Sequence, residues 1–531
     1  MLHYYFIKNA KRHAGKTAYK DKNLNKSFTY KKTLLVSLIL KGRFKKYNDE
    51  LIGLMLPNSF IFSIVFLSVL MCGKIPVIIN YSMKAEENIS AARETCKFNI
   101  IITSKTLLEK IKCPEVKNMV FIEDIIKEIK PREKLISFLI SMFPSALIIK
   151  TCNGGKAGKS EAKYFNGNMN GSSSSNLDNN DNNDEDKDAV ILFTTGSEKK
   201  PKAVKLSHKN IISNINDLKH LFNLSENDVM LSILPGFHIF GFTVNICLPF
   251  CIGMSSIIYA NPMDFKTVVS IIKENSPSIM AVTPYLLAGY LKKSEAGDFQ
   301  SLKYIVSGGD KCHEYIHSGF AVKHGKKIYE GYGATETSPV ISVNTDKNYK
   351  YGSVGKPVPG IRVKIVHHET GSVLKTRETG KILVSGDTIM KGYFGDPAST
   401  QKCMLDGFYD TGDIGYIDED GFLWHTGRLK RFVKIASEMV SLESVENALE
   451  KCISESVEFC VIGIENGIKG VKLVTAMSAT VDETTVYKKA KEHLPNLCIP
   501  KEFIVVGELP RLFNGKVDFK KVEEIVYSLS R

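Results

Sequence analysis

Residues 189–204 read AVILFTTGSEKKPKAV, an apolar run from Ala189 to Phe193 that empties into hydroxyl, glycine and lysine residues. Short apolar runs of this kind, ended by turn residues, are the pattern of a buried strand. The loop composition is one that wraps a polyphosphate. Successive backbone N–H groups, Thr and Ser hydroxyls and lysine charges converge on one anion, because glycine lets the main chain approach closely. It is not a Walker loop, since no GxxxxGK followed by Ser or Thr is present. Nucleotide chemistry is the first hypothesis this stretch raises, and an ordinary basic surface turn is its rival.

Outward from the loop, the pattern repeats on both sides. Leu51 to Leu56, Ile75 to Ile79 and Asn99 to Thr103 before it are β-rich runs alternating with helical stretches. Ile191 to Phe193, Val229 to Leu234, Ser255 to Tyr259, Ile279 to Val282, Tyr304 to Ser307 and Ile328 to Glu330 continue the series after it. Such alternation predicts parallel sheets with crossover helices. Asn166 to Asp188, NGNMNGSSSSNLDNNDNNDEDKD, is nearly free of apolar residues and predicts a flexible insertion between two folded blocks. From Tyr351 short strands alternate with Gly, Pro and Asp turns, the signature of a small β-rich subdomain. Beyond Gly427 a glutamate-rich helix, Leu442 to Lys451, opens a separate α+β unit, with a hinge near Lys430 and Arg431.

The chain has 531 residues and 43% hydrophobic content, too long for one core and apolar enough for several. Its net charge of +14 suits acidic carriers, phospholipid headgroups or nucleic acid. No helix-turn-helix, zinc-finger or RNA-binding signature is present and aromatics are not interleaved with the basic runs, so nucleic acid is not expected as a partner. Eleven cysteines without a CxxC pair read as free thiols in a reducing compartment, and the N-terminus MLHYYFIKNAKRH lacks the pattern of a secretion signal. A cytoplasmic protein is expected, with peripheral contact at a membrane surface left open. Phe60 to Cys72 is shorter than the roughly 20 residues a spanning helix needs and reads as a buried helix feeding the strand Ile75 to Ile79. Leu135 to Ile149, broken by Pro144 and flanked by lysines, reads as a core helix or as a segment lying on a bilayer surface, core packing being preferred.

Downstream lie LPGFHIFG (Leu234 to Gly241), SGGD (Ser307 to Asp310), EGYGATETSP (Glu330 to Pro339), YDTGDIG (Tyr409 to Gly415), GRLKRFVKIASEMVSLESVE (Gly427 to Glu446) and LPRLFNGKVD (Leu509 to Asp518). In this order they resemble the adenylate-forming superfamily of acyl-CoA synthetases, luciferases and peptide-synthetase adenylation domains. GLMLPNS (Gly53 to Ser59) and GKIPVIIN (Gly73 to Asn80) extend the likeness over nearly the whole chain. KRFVKIASEMVSLESVE, FHIFG and CIPKEFIVVGELPRLFNGKVD are most similar to the bacterial acyl-carrier-protein synthetase branch, where a phospholipid acyltransferase half is also found. The HxxxxD signature of that half occurs at none of the twelve histidines, so phospholipid acyl transfer is not expected of this chain.

The resemblance implies an α/β fold: a large N-terminal domain, residues 1–427, of two parallel-sheet subdomains plus a small distorted β-barrel, then a small mobile α+β domain, residues 428–531. It implies ATP and Mg²⁺, a medium- or long-chain fatty acid, and acyl carrier protein or CoA as thiol acceptor. Thr194, Thr195, Gly196, Ser197 and Lys202 would hold phosphates, and Glu336 beside Thr335 would hold the metal. Tyr332 and Gly333 would meet adenine, with Gly308, Gly309 and Asp310 as its wall; Asp413 and Arg428 would hold the ribose. Lys516 would be the mobile catalytic lysine. Lys430, Arg431, Lys434 and Ser437 would form the hinge and thiol tunnel. His238 and Gly241 would gate the acyl pocket, unless His238 is a core histidine. Lys199, Ala203 and Ser437 stand where the family has glycine, and a side chain at a left-handed position costs about 1 kcal/mol. Two alternatives stay open: a non-catalytic nucleotide- or acyl-binding scaffold, and a luciferase-like oxygenase.

Overall fold

The computed structural model describes every residue except 83, 153–183, 195–200, 436–437, 466–470, 512–515 and 530–531. Thr195, Gly196, Ser197, Lys199 and Ser437, together with the insertion as far as residue 183, therefore lie outside the described residues.

A seven-stranded sheet is built in the order Gly392–Tyr393, Ala203–Ser207, Asp188–Phe193, Ile75–Ile78, Leu51–Met55, Ile101–Thr103, Met119–Phe121. From Asp188–Phe193 to Met119–Phe121 neighbours run parallel, whereas Ala203–Ser207 pairs antiparallel with Asp188–Phe193. The phosphate-loop candidate thus joins two strands that pair antiparallel. Ala203 begins the returning strand opposite Phe193, outside the left-handed region, so its methyl imposes no backbone strain. Asp184 to Asp188 also depart from the expected flexible stretch. Lys209 N–H donates to the Glu185 carbonyl, and Lys391 pairs with Asp188 at 3.0 Å, because the strand starts there.

A nine-stranded sheet has a parallel centre, Ile328–Gly333, Tyr304–Gly308, Ile279–Val282, Val229–Ser232, Ser255–Ile258 and Thr17–Asp21, with antiparallel strands at both ends. Alternation along its strands sends Met230, Ile279 and Ala281 to the core shared with the first sheet. Leu231, Met280 and Val282 go to a second core under the helices Phe265–Asn275 and Pro284–Lys293. The helix Phe60–Met71, buried at every residue but Ile61, lies within that shared core as its composition predicts. Its N-terminus is tied to the nine-stranded sheet by Asp21, which accepts from Phe60 N at 3.1 Å.

Five antiparallel strands, Ile361–Val366, Gly380–Gly386, Met404–Leu405, Phe408–Ile417 and Leu423–Arg428, make the β-rich subdomain. The last unit packs the helices Leu442–Leu449, Glu483–Ala490 and Phe519–Leu529 on a three-stranded sheet, Phe459–Glu465, Val471–Met477 and Glu502–Val505. No helix is long and apolar enough to cross a membrane among the described residues. The expectation of core packing for Leu135 to Ile149 holds for only one of its two helices. The helix Pro131–Met142 does not bury most of its apolar residues: Leu135, Ile136, Leu139 and Met142 are exposed, because the helix face turned to the core carries Ser137 and Ser141, whereas Ser145–Cys152 packs Ile148, Ile149 and Cys152 into the core as expected.

Candidate functional site

Strand ends of the nine-stranded sheet, the hairpin of the seven-stranded sheet, the β-subdomain and the C-terminal unit surround one cleft of about 2510 Å³. Ligands of open α/β sheets bind beyond the carboxyl ends of strands, and the strands Tyr304–Gly308 and Ile328–Gly333 end here. Thr194, Lys202, His238, Gly241, Gly308, Gly309, Asp310, Tyr332, Gly333, Thr335, Glu336, Asp413, Arg428, Lys430, Arg431 and Lys516 all line it. Lys434, exposed on the hairpin strand Phe432–Ile435, does not. The C-terminal unit presents Lys516 to the cleft.

Thr194 and Lys202 close the hairpin. Thr194 N–H donates to the Lys202 carbonyl at 2.9 Å and its hydroxyl accepts from Lys202 N at 3.2 Å. The Lys202 ammonium lies 4.9 Å above the Tyr393 ring, and the Tyr393 hydroxyl donates to Glu336 Oε1 at 2.9 Å. Glu336 is buried in the short turn Thr335–Thr337, where burial pushes its carboxyl up and hydrogen bonds from Tyr393 and Tyr409 restrain it. A buried carboxylate in that state gains from a nearby cation. Gly333 precedes it because a Cβ there would fall 2.0 Å from the Pro339 carbonyl oxygen.

Asp413 is buried on the strand Phe408–Ile417. It accepts from the Tyr332 hydroxyl at 2.5 Å, pairs with Arg428 Nε at 3.2 Å and faces His425 Nε2 at 3.8 Å. Burial opposes its ionisation, but His425, Arg428 and Tyr332 together hold its carboxyl below the ordinary aspartate value. Burial also disfavours the imidazolium of His425, yet Asp413 and Glu443, the latter 3.7 Å from Nδ1, push its pKa up to about 9. Its ring lies 5.2 Å from that of Tyr332.

Gly309 adopts φ +91°, and a Cβ there would sit 3.4 Å from Lys516 Cε. Lys516 is half-buried; burial first, then Arg428, hold its ammonium below the ordinary lysine value, against the pull of Asp310 and Asp413. The C-terminal unit is fastened in this position by Glu450, which meets His313 Nδ1 at 2.9 Å, and by Arg511 stacked 4.5 Å over Tyr285. Arg431 belongs to the small domain: it pairs with Glu446 at 2.8 Å and lies 3.8 Å over Phe519.

His238 lines the cleft, with its pKa pushed down to about 4 by burial and then by Lys516, so it is neutral at physiological pH. Gly241 opens a π-helical turn, Gly241–Cys247, and a Cβ there would meet the Pro235 carbonyl at 2.4 Å. Beyond these two residues the cleft continues as an apolar arm between the sheet face of Met230, Ala281 and Val306 and the end of the helix His208–Leu221. Phe222 and Tyr304 lie edge to face at 5.0 Å at its far end. Sequence reasoning missed His425, Tyr393 and Glu443. A histidine in WHTGR, three residues before Arg428, was the available signal; nothing marked Tyr393 or Glu443.

The family profile "AMP-binding enzyme" matches residues 6–394. The chain belongs to that family. Among curated members it is 31% identical over 340 residues to the long-chain-fatty-acid–CoA ligase of Bacillus subtilis (strain 168), covering 62% of this chain. The matched part spans 60% of that relative's length. To the ligase of the same description from Haemophilus influenzae it is 26% identical over 551 residues, covering 96% of this chain and 92% of the relative. Among solved structures, ATP-bound MatB from Rhodopseudomonas palustris superposes with TM-score 0.80 at 20% identity over 100% of both chains. MenE from Bacillus subtilis, in complex with ATP and magnesium ion, gives 0.78 at 20% identity over 98% of this chain and 99% of that one. At these identities the structural likeness establishes the fold.

Proposed function

We propose that this chain is an acid–thiol ligase that activates a medium- or long-chain fatty acid with ATP. The first step makes an acyl-adenylate and the second passes the acyl group to a phosphopantetheine thiol. The observation that carries this reading is the approach of Lys516 to Gly309, within electrostatic reach of Asp413 and His238, in the cleft that Glu336, Thr194 and Lys202 also line.

In the first half-reaction a carboxylate oxygen forms a bond to the α-phosphorus of ATP while the bond to pyrophosphate breaks. Charge grows on phosphoryl oxygens, so the site needs donors and cations placed in advance more than a nucleophile. Lys202 and the Thr194 end of the hairpin serve the phosphates, and Lys516 bridges the carboxylate and the α-phosphate. Asp413 fits the ribose hydroxyls and Tyr332 the base. Glu336, a buried carboxylate left short of counter-charge, fits Mg²⁺, which when bound neutralises phosphate charge. In the second half-reaction the thiol sulfur bonds to the acyl carbon, its proton leaves, and the acyl–oxygen bond to AMP breaks.

The apolar arm supports the acyl class. From Tyr304 to Gly308 the sheet wall runs five residues, a rise of about 13 Å. The net charge of +14 suits either an acidic carrier protein or the phosphates of CoA. Pyrophosphate exchange with carboxylates of graded chain length tests the first step. CoA and acyl carrier protein, compared side by side in one thioester assay, test the second. Nucleotide binding without exchange for any carboxylate would favour a non-catalytic scaffold instead.

A further inference from the structure

We propose that the face formed by the helices Pro131–Met142 and Ser145–Cys152 docks this protein on an anionic lipid bilayer. The first of these helices is inverted for a water-soluble protein. Its buried positions are Ser137 and Ser141, packed against the helix Tyr30–Phe44, while Leu135, Leu139 and Met142 expose 59%, 51% and 63% of their surface. Phe143 and Leu147 extend the patch across Pro144 to the second helix. Contiguous apolar surface on this scale marks an interaction site rather than a scatter of single residues.

The charge around the patch selects the partner. Lys127, Lys130, Arg132, Lys134 and Lys150 are exposed on the same segment. Its acidic residues are partly offset from elsewhere: Glu128 and Glu133 share Arg43 at 3.2 and 2.6 Å, and Asp124 pairs with Lys105 at 2.7 Å, so the exposed cations outnumber the carboxylates left uncompensated. Lys31 adds a further cation 5.9 Å from the Phe138 ring. An apolar face with a lysine and arginine rim is what a bilayer interface accepts, apolar side chains entering the acyl boundary and cations meeting anionic headgroups. A second copy docking face to face would set these cations against one another. At 12 residues the helix is far short of the roughly 20 that span a bilayer, so it lies on the surface.

The proposal does not depend on the chemistry in the cleft. Co-sedimentation of the full chain with vesicles of phosphatidylcholine alone, and with phosphatidylglycerol added, tests it, using Leu139→Glu/Met142→Glu and Lys134→Glu/Lys150→Glu as variants and an unchanged melting temperature as the folding control. Binding to the anionic vesicles is expected, weakened about tenfold by either variant and by raised salt. Three results would overturn the idea: no binding to anionic vesicles, binding that both variants leave intact, or a concentration-dependent dimer that Leu139→Glu/Met142→Glu dissolves without any vesicle binding.

Discussion

The Tyr332 hydroxyl donates to Asp413 at 2.5 Å, joining a strand end of the nine-stranded sheet to the β-subdomain. With Arg428 3.2 Å away on the other oxygen, Asp413 is held rigid before any nucleotide arrives. That arrangement, and the approach of Lys516 to it, yield the following expectations.

Lys516→Ala should lose adenylation by about a hundredfold or more, since it removes a cation placed where phosphoryl charge develops. Nucleotide binding should persist, as should thioester formation from a supplied acyl-adenylate. Pyrophosphate exchange and the isolated second step, measured separately, check this; equal loss in both would mean a damaged fold.

His425 should make stability pH-dependent. Its pKa in the folded chain, about 9, stands above the ordinary 6.5, so folding favours its protonated form. The stabilisation is complete below pH 6.5 and is lost as pH rises through 9, by at most about 3 kcal/mol. Thermal melts from pH 6 to 9.5 should fall for the parent chain and be flatter for His425→Gln.

Glu336→Gln should leave the Tyr393 hydrogen bond in place, because the amide oxygen still accepts, while removing the negative charge. The expected result is a rightward shift of the Mg²⁺ dependence of pyrophosphate exchange by about tenfold or more at saturating ATP. An unchanged metal titration would remove Glu336 from the candidate metal ligands.

Val306→Phe should shorten the apolar arm. Val306 is only half-buried, so a larger side chain grows into the cleft rather than into packed core. Activity on short carboxylates should be kept and that on the longest lost, read as kcat/KM across a chain-length series.

Some of this was legible in the chain. Buried strands ending in Thr194, Ser307 and Glu330 announce themselves by apolar runs stopped by polar or glycine residues, and a parallel sheet then brings such ends to one edge. Gly333 and Gly309 were named through the resemblance, and the structure supplies the reason: close backbone approach at the first and a left-handed φ at the second. The Pro131–Met142 helix was misread. A run such as LISFLISM carries its apolar content in one dimension, and only the docked helix shows that its serines are the ones turned inward.

Period-two alternation in WHTGR places His425 and Arg428 on opposite faces of their strand. A register shift between Ile414 and Gly415 pairs Gly415 with His425 and Asp413 with Arg428, turning both toward one carboxylate. The sequence by itself determined which segments are strands, because that follows from apolar periodicity, while the candidate glycines, acids and lysines came from the resemblance carried by its motifs in their order. Tertiary structure alone decided that His425 joins Asp413, that Tyr393 braces Glu336 and that Lys516 reaches Gly309, because bulges, burial and domain closure act between residues far apart along the chain.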